Sequence, residues 1–529
     1  MNSLSFVLFI VANLFLSAHN LRILVYSPKL GHSHINFNGK IADILVKAGH
    51  DVTFLAPEIG DVKLTNGTKL AKIISIKPHP EVSEEYSKMP ALLNPWVLKD
   101  DIKSAYVMFT TLSDMFYNSC EHLLNQEEIT KQLRDSKFDV MIAEYFSSCP
   151  MGLVEYYNIP SLIITSAMTM NDVLYPLIGL NFPSSYVPGS FMPFNEEMSY
   201  KERIINTIQY GSLSFYLQGI LFKRYEKLFY KKGNIKYYDG LKRVGAVFIN
   251  TVPWVDFPFP TTTKVHFIGG SAIPVANKLS KKWDDLLSMK KTNILISFGS
   301  VAEAHKMPDK YKKGIIETMK NFSDITFIWK YEKGEETLPL EISENVILSK
   351  WIPQVDLLAD KRIKIFITHG GMNSITEALA IGKVTIAIPV FGDQIRNAKM
   401  IERLNVSVSL NKKNLEDSVL LSEKIEYLLN NYDIYSKNAE RQKNLMKDRP
   451  FKADETLIKM TEFIGKHGPI PEMSLYSENM NFFIFYNLDI YIPLLFILIS
   501  MFVASILILK FIFKRLFFNN ENVKKIKNE

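Results

Sequence analysis

The chain has 529 residues, 47% of them hydrophobic and 22% charged, and a formal net charge of +7. That length exceeds a single hydrophobic core, so two domains are the starting expectation, and the balance of residue types excludes a disordered chain. Much of the positive excess is terminal, in Lys510, Lys514, Arg515, Lys524, Lys525 and Lys527, and no basic–aromatic platform occurs, so no nucleic-acid partner is expected.

Residues 4–16 form an apolar run ahead of Ser17–Ala18, the length of a signal-peptide core, although the usual preceding charge is missing. A strand follows directly at Leu21–Tyr26, leaving that run nothing to pack against, so residues 1–19 read as a leader. Next come a polar loop from Ser27 to Ser33, a helix over Asn36–Ala48 and a strand at Asp51–Leu55. Strands at Val140–Ala143, Ser161–Thr165 and Ala246–Asn250 complete an N-terminal domain over residues 20–260. The Pro-rich stretch Pro253–Gly270 interrupts the pattern, and residues 261–290 read as a linker. A second series then runs over residues 291–470. Its strands are Asn293–Phe298, Thr326–Lys330, Val346–Leu348, Lys364–Thr368 and Val384–Ile388, with helices at Lys310–Asn321 and Ser374–Ile381. Strands alternating with helices give an α/β fold of two Rossmann-like, doubly wound parallel-sheet domains facing across a cleft. Neither series carries a Gly-x-Gly-x-x-Gly turn, so a dinucleotide cofactor is disfavoured.

After a juxtamembrane segment over 471–489, residues 490–509 carry no charge and are long enough, at about 1.5 Å per residue, to cross a roughly 30 Å hydrocarbon layer. The basic tail over 510–529 then belongs in the cytosol, which makes the chain a type I membrane protein with lumenal domains. Lys525 to Glu529 resemble a dilysine signal for retention in the endoplasmic reticulum. Cys120 and Cys149 are too few for a disulfide framework and are expected as two buried thiols, with a single bridge between them as the alternative. Sequons stand at Asn66, Asn321 and Asn405.

In open parallel sheets the ligand lies beyond the carboxyl ends of the strands, and that rule selects a few polar residues. The strand ending at Thr368 is followed by His369, Gly370, Gly371, Asn373, Ser374 and Glu377. Two glycines let the backbone approach a ligand, and a helix capped by Asn373 or Ser374 offers free N–H groups to an anion. Upstream, Trp351 is set by Pro353 to stack on a base, with Gln354 offering a donor and an acceptor. Downstream, Asp393 and Gln394 form a carboxylate–amide pair suited to sugar hydroxyls.

In order and spacing, Trp351–Gln354, His369–Glu377 and Asp393–Gln394 resemble the nucleotide-sugar signature of the UDP-glycosyltransferase family, which includes the UDP-glucuronosyltransferases. The layout of leader, two domains, C-terminal transmembrane helix and dilysine tail is similar too. The resemblance implies a GT-B fold and a UDP-sugar co-substrate, with neither metal nor other cofactor; no Asp-x-Asp triplet occurs. It implies that Trp351 stacks on uracil, Gln354 contacts base or ribose and Glu377 holds the ribose. His369, Gly371, Asn373 and Ser374, with Ser300, would bind the diphosphate, and Asp393 and Gln394 the sugar. The family keeps a catalytic His sixteen residues before a Gly–His pair, and Gly49–His50 points to His34 rather than His32. An imidazole there can take a hydroxyl proton at neutral pH. The family's Asp partner is replaced by Glu144 at the end of the Phe138–Ala143 run.

The expected reaction is inverting transfer of a sugar, glucuronic acid ahead of glucose, to a hydroxyl of a small lipophilic acceptor, with room for a homo-oligomer. The aromatic stretches Ser104–Tyr117 and Leu174–Phe194 read as walls of the acceptor pocket or as plain core and lid. Arg396, one turn from Asp393, is a candidate partner for a glucuronate carboxylate, a solvated helix residue being the plainer expectation. The competing expectation is a catalytically inactive UDP-sugar-binding membrane protein.

Overall fold

The computed structural model describes residues 20–526 apart from 61–63, 89–93, 100–101 and 272. The leader expected over 1–19 and the last three residues of the tail lie outside the described residues.

The first series builds a seven-stranded parallel sheet in the order β3–β2–β1–β4–β5–β6–β7. Its parts in chain order are β1 (Arg22–Tyr26), α1 (His32–Lys47), β2 (Asp51–Pro57), β3 (Lys72–Ile76), α2 (Ile102–Leu124), β4 (Val140–Glu144), α3 (Cys149–Tyr156), β5 (Ser161–Ser166), α4 (Tyr200–Ser214), β6 (Val244–Ile249) and β7 (Val265–Phe267). The inner strands are covered on both faces, which is why they read as unbroken Ile/Leu/Val runs rather than alternating ones. β1 pairs with both β2 and β4, so its carboxyl end and that of β4 lie side by side where the winding reverses.

The second series builds a six-stranded parallel sheet in the order β10–β9–β8–β11–β12–β13. It comprises β8 (Thr292–Ser297), α5 (Asp309–Lys320), β9 (Ile325–Lys330), β10 (Val346–Ser349), α6 (Gln354–Ala359), β11 (Ile363–Thr368), α7 (Met372–Ile381), β12 (Val384–Ala387), α8 (Gln394–Arg403) and β13 (Ser407–Ser409). Here the winding reverses between β8 and β11, with Thr368 beside Ser297. Both sheets therefore open a crevice at a switch point, the place where such folds bind ligands.

Several details differ from expectation. α1 begins at His32 with Gly31 as N-cap, so His32 and His34 sit on the first helical turn rather than in a loop. β3, β7 and β13 were not expected; all three are sheet edges of only three to five residues, too short for a hydrophobic period. β7 lies within the stretch read as linker and pairs with β6. After the second sheet the chain returns: α9 (Ala453–His467) buries Leu457 and Ile464 among Leu21, Ile23 and Ala246 of the first domain. The Ser161 hydroxyl donates to the Ile464 carbonyl at 3.2 Å.

The two cysteines, expected as free thiols, are bridged: Cys120 of α2 joins Cys149 at the start of α3, with Cα atoms 5.8 Å apart. The packing of α2 on α3 supplies that proximity, and a sequence separation of 29 residues gives no hint of it.

Residues 474–529 form a separate unit, dominated by α10 (Leu488–Ile526). Its segment Leu488–Leu516 is long and apolar enough to cross a membrane by length and composition, with Pro493 inside its first turns. The helix thus extends on both sides of the span expected at 490–509.

Candidate active site

At the first switch point His34 meets Glu144. The imidazole Nδ1 lies 2.7 Å from Glu144 Oε1. Glu144 is the last residue of β4, one beyond the predicted strand end, and is 5% exposed. Its carboxylate also accepts from Asn38 Nδ2 at 3.1 Å and from the Ala167 backbone N–H at 3.1 Å. Asn38 is fixed in turn by the Thr165 hydroxyl, which donates to its Oδ1 at 2.8 Å. A carboxylate held by three directed contacts is pre-organised to orient a ring and carry an imidazolium's charge. With Nδ1–H donating to Glu144, Nε2 is left as the basic nitrogen. Phe146 packs edge-on against the ring at 4.8 Å between centroids. Burial by itself would lower the His34 pKa; the charge and hydrogen bond of Glu144 and the charge of Asp393 outweigh it and hold the pKa above the ordinary value. Asn38 was not singled out from the sequence, though its spacing of four from His34 places both on one helix face.

At the second switch point, Ile375 N–H makes the first bond of α7, to the Gly371 carbonyl at 3.0 Å. The N-cap is Gly371, not Asn373 or Ser374 as expected from their side chains; both lie inside the first turn. The free N–H groups of that turn give a helix N-terminus suited to an anion. His369 lies between two glycines: a Cβ at Gly299 would come within 2.7 Å of its ring, and one at Gly371 within 2.5 Å. Burial, assisted by the Lys330 charge, pulls the His369 pKa down to about 4, so the ring is neutral near pH 7. Its Nδ1 is buried without a hydrogen-bond partner among the described residues, an arrangement a ligand oxygen would relieve.

Gln354, Ser374 and Glu377 converge. Gln354 Nε2 donates to Glu377 Oε2 at 2.7 Å and lies 3.4 Å from Ser374 Oγ. Burial raises the Glu377 pKa, opposed by Gln354 and by the Lys40 charge from α1, which places Lys40 opposite the Glu377 helix. Trp351 is 78% exposed, an unusual state for the largest aromatic side chain. Ser300 is exposed on the loop after β8.

Asp393 is the N-cap of α8, and its Oδ2 accepts from Asn397 Nδ2 at 2.7 Å. Its pKa is raised by burial, with Asn397 and the facing His34 opposing. Gln394 Oε1 is engaged by the N–H groups of Val390 and Phe391 at 2.9 and 3.1 Å, so the amide braces its own loop. Asn373 is tied to the first domain: Asn250 Nδ2 donates to its Oδ1 at 3.0 Å. Lys330, Lys40 and Asn250 carry no local sequence signal; only the packing of distant segments brings them here.

Arg396 is neither solvated nor turned toward Asp393. It is 1% exposed, and its Nη1 lies 2.8 Å from Asp256 Oδ1. A guanidinium so committed is not available to a ligand carboxylate, which corrects both expectations for it. The two aromatic stretches do border a cavity of about 380 Å³, lined by Tyr106, Phe109, Phe191, Phe194 and Leu213 and closed on one side by Phe391 and Gly392 of the Asp393 loop.

A family model described as UDP-glucoronosyl and UDP-glucosyl transferase matches residues 22–525. A putative UDP-glucuronosyltransferase of Caenorhabditis elegans, ugt-55, is 30% identical over 424 residues, 78% of this chain and 81% of that one. The UDP-glucuronosyltransferase 1A6 of Mus musculus is 26% identical over 471 residues, covering 85% and 84%. Among solved structures, the calicheamicin glycosyltransferase CalG4 is similar with a TM-score of 0.59 and 14% identity, over 85% of this chain and 99% of that one. Phytolacca americana UGT2, complexed with UDP-2fluoro-glucose and pterostilbene, is similar with a TM-score of 0.56 and 15% identity, over 84% and 100%.

Proposed function

We propose a defined reaction for this chain, which belongs to the UDP-glucoronosyl and UDP-glucosyl transferase family and is a UDP-glycosyltransferase with a GT-B fold. Nε2 of His34 takes the proton of an acceptor hydroxyl as that oxygen bonds to the anomeric carbon. The bond from that carbon to the diphosphate breaks on the opposite face, UDP departs and the configuration inverts. The observation that carries this reading is the 2.7 Å His34–Glu144 contact at a switch point, with Asp393 facing it from the second sheet. An intact base with its own carboxylate also disfavours the catalytically inactive alternative.

On the donor side Trp351 stacks on uracil, Gln354 and Glu377 take the base edge and ribose, and Ser300, His369, Gly371, Asn373 and Ser374 receive the diphosphate. Asp393 and Gln394 hold the sugar, the latter chiefly by shaping its loop. The α7 N-terminus and the neutral His369 stabilise the leaving group, and the transfer proceeds without a metal ion. The aromatic cavity beside Phe391 takes a small lipophilic acceptor, a role supported by its size and apolar lining. α10 anchors the enzyme, with the catalytic domains in the lumen of the endoplasmic reticulum.

Membranes carrying the full-length chain are expected to transfer sugar from UDP-glucuronate, ahead of UDP-glucose, to small phenolic and alcoholic acceptors, with inverted anomeric configuration by NMR. Failure with both donors across such a panel would sink the proposal. Glu144→Gln should lower kcat by about 10–100-fold and move the acid limb of the pH profile. A base works above its pKa, so activity is lost as pH falls through the raised His34 value. Without the Glu144 charge burial prevails, and the loss moves to lower pH. An unshifted limb would remove Glu144 from its role.

A further inference from the structure

The loop after β5 touches both halves of the site. Ala167 N–H donates to Glu144 Oε1 at 3.1 Å. The Ala167 carbonyl accepts from Asn250 Nδ2 at 2.9 Å, and the same amide reaches Asn373 in α7 at 3.0 Å. Two residues on, the Thr169 hydroxyl accepts from Arg396 Nη1 at 3.2 Å, while the Thr169 carbonyl accepts from the Ser166 hydroxyl at 2.9 Å. This short loop thus joins the base to α7 through Asn250 and to α8 through Arg396.

The Arg396 link is built as a fixture. Its Nε donates to the Pro188 carbonyl at 3.1 Å, Nη1 pairs with Asp256 at 2.8 Å, and the guanidinium lies 4.9 Å from the Phe257 ring centroid. Arg396 is 1% and Asp256 0% exposed. One α8 turn therefore presents Asp393 to the site and anchors, through Arg396, on three segments of the N-terminal half. A planar fork with several fixed partners defines position more narrowly than a single contact does.

We propose that Arg396 is a positioning residue for the transfer: through Thr169 and Asp256 it sets the Asp393 edge of α8 at a fixed distance from the His34–Glu144 pair. This rests on the function proposed above. The half of the donor site built from Trp351, Gln354, His369 and Glu377 lies on other elements and is not held by this contact. Loss of the link should therefore misplace the sugar against the base and spare the grip on UDP, and small misplacements of reacting groups are costly in rate.

Truncating Arg396 alone strands a buried carboxylate and is destabilising for that reason; replacing both partners with apolar residues of similar size is often neutral or stabilising. The test therefore pairs Arg396→Met with Asp256→Leu in the full-length, membrane-bound chain, with 1-naphthol as acceptor and UDP-glucuronate or UDP-glucose as donor. The double variant is expected to keep a melting temperature near the parental one and a UDP affinity within about threefold, while kcat falls at least about tenfold. Full turnover in a stably folded double variant overturns the inference and leaves the pair a packing feature. A fall in UDP affinity as large as the fall in kcat overturns it too. A parental chain that transfers neither sugar to 1-naphthol or any other acceptor overturns the function beneath it, and the inference falls with that function.

Discussion

Replacing His34 by alanine is expected to lower kcat about a thousandfold while leaving UDP affinity within about threefold of the parental value. The magnitude follows from what is removed. The imidazole is the group at this crevice whose basic nitrogen is left uncommitted by its partner, since Glu144 occupies Nδ1. Glu144 cannot take over, because its oxygens are engaged by Asn38, Ala167 and the ring itself. UDP binding should survive because the residues assigned to uracil, ribose and diphosphate belong to the second sheet and its helices. Isothermal titration with UDP, alongside single-turnover transfer, separates the two quantities. A variant that still turns over at more than about a tenth of the parental rate would remove His34 as the base, and one that loses UDP with turnover would make it a binding residue.

The second large effect is expected at the other histidine and should differ in kind. His369→Ala should lower kcat/KM for the UDP-sugar by about a hundredfold and leave the acid limb where it is. Burial and the Lys330 charge hold this ring at a pKa of about 4, so between about pH 5 and 8 it stays neutral and its contribution does not titrate. A neutral ring donates one N–H, and the donors that matter are those already aimed where charge develops. Parallel pH profiles of the parental enzyme and the variant test this. A limb that moves in His369→Ala would mean that this ring, rather than His34, limits activity in acid.

Much of the candidate site was legible because its proposed donor half is nearly continuous in sequence. From His369 to Glu377 the residues follow one strand end into one helix start, and local rules for strands, glycines and helix N-termini suffice to read them. His34 and Glu144 lie 110 residues apart, yet each follows or ends a recognisable apolar run, so the strand-end rule brought both into view, and the family resemblance then favoured His34 over His32 and matched Glu144 to its partner. The contacts that escaped have no local signature. Lys330 reads as the last residue of a strand, Asn250 as the end of another and Arg396 as a surface helix residue; their partners are chosen by the packing of distant segments. The Cys120–Cys149 bridge was missed for the same reason. The start of α1 about one turn before the expected Asn36, which takes in His34, came from a cap with no side-chain bond, leaving Gly31 as its marker.

The return of α9 to the first sheet has a consequence for how the chain is made. The strands of the N-terminal half are complete once β7 has been synthesised, but Leu21, Ile23 and Ala246 remain without their covering partners Leu457 and Ile464. Those partners emerge from the ribosome about 200 residues later, at synthesis rates of roughly 5–20 residues per second a delay of tens of seconds. During that interval the first half carries a bare apolar flank next to its own amino-terminal strand. The order of translation therefore makes the N-terminal domain the first to begin folding and the last to be sealed, and a ribosome that stops short of Ala453 releases a protein with that flank open.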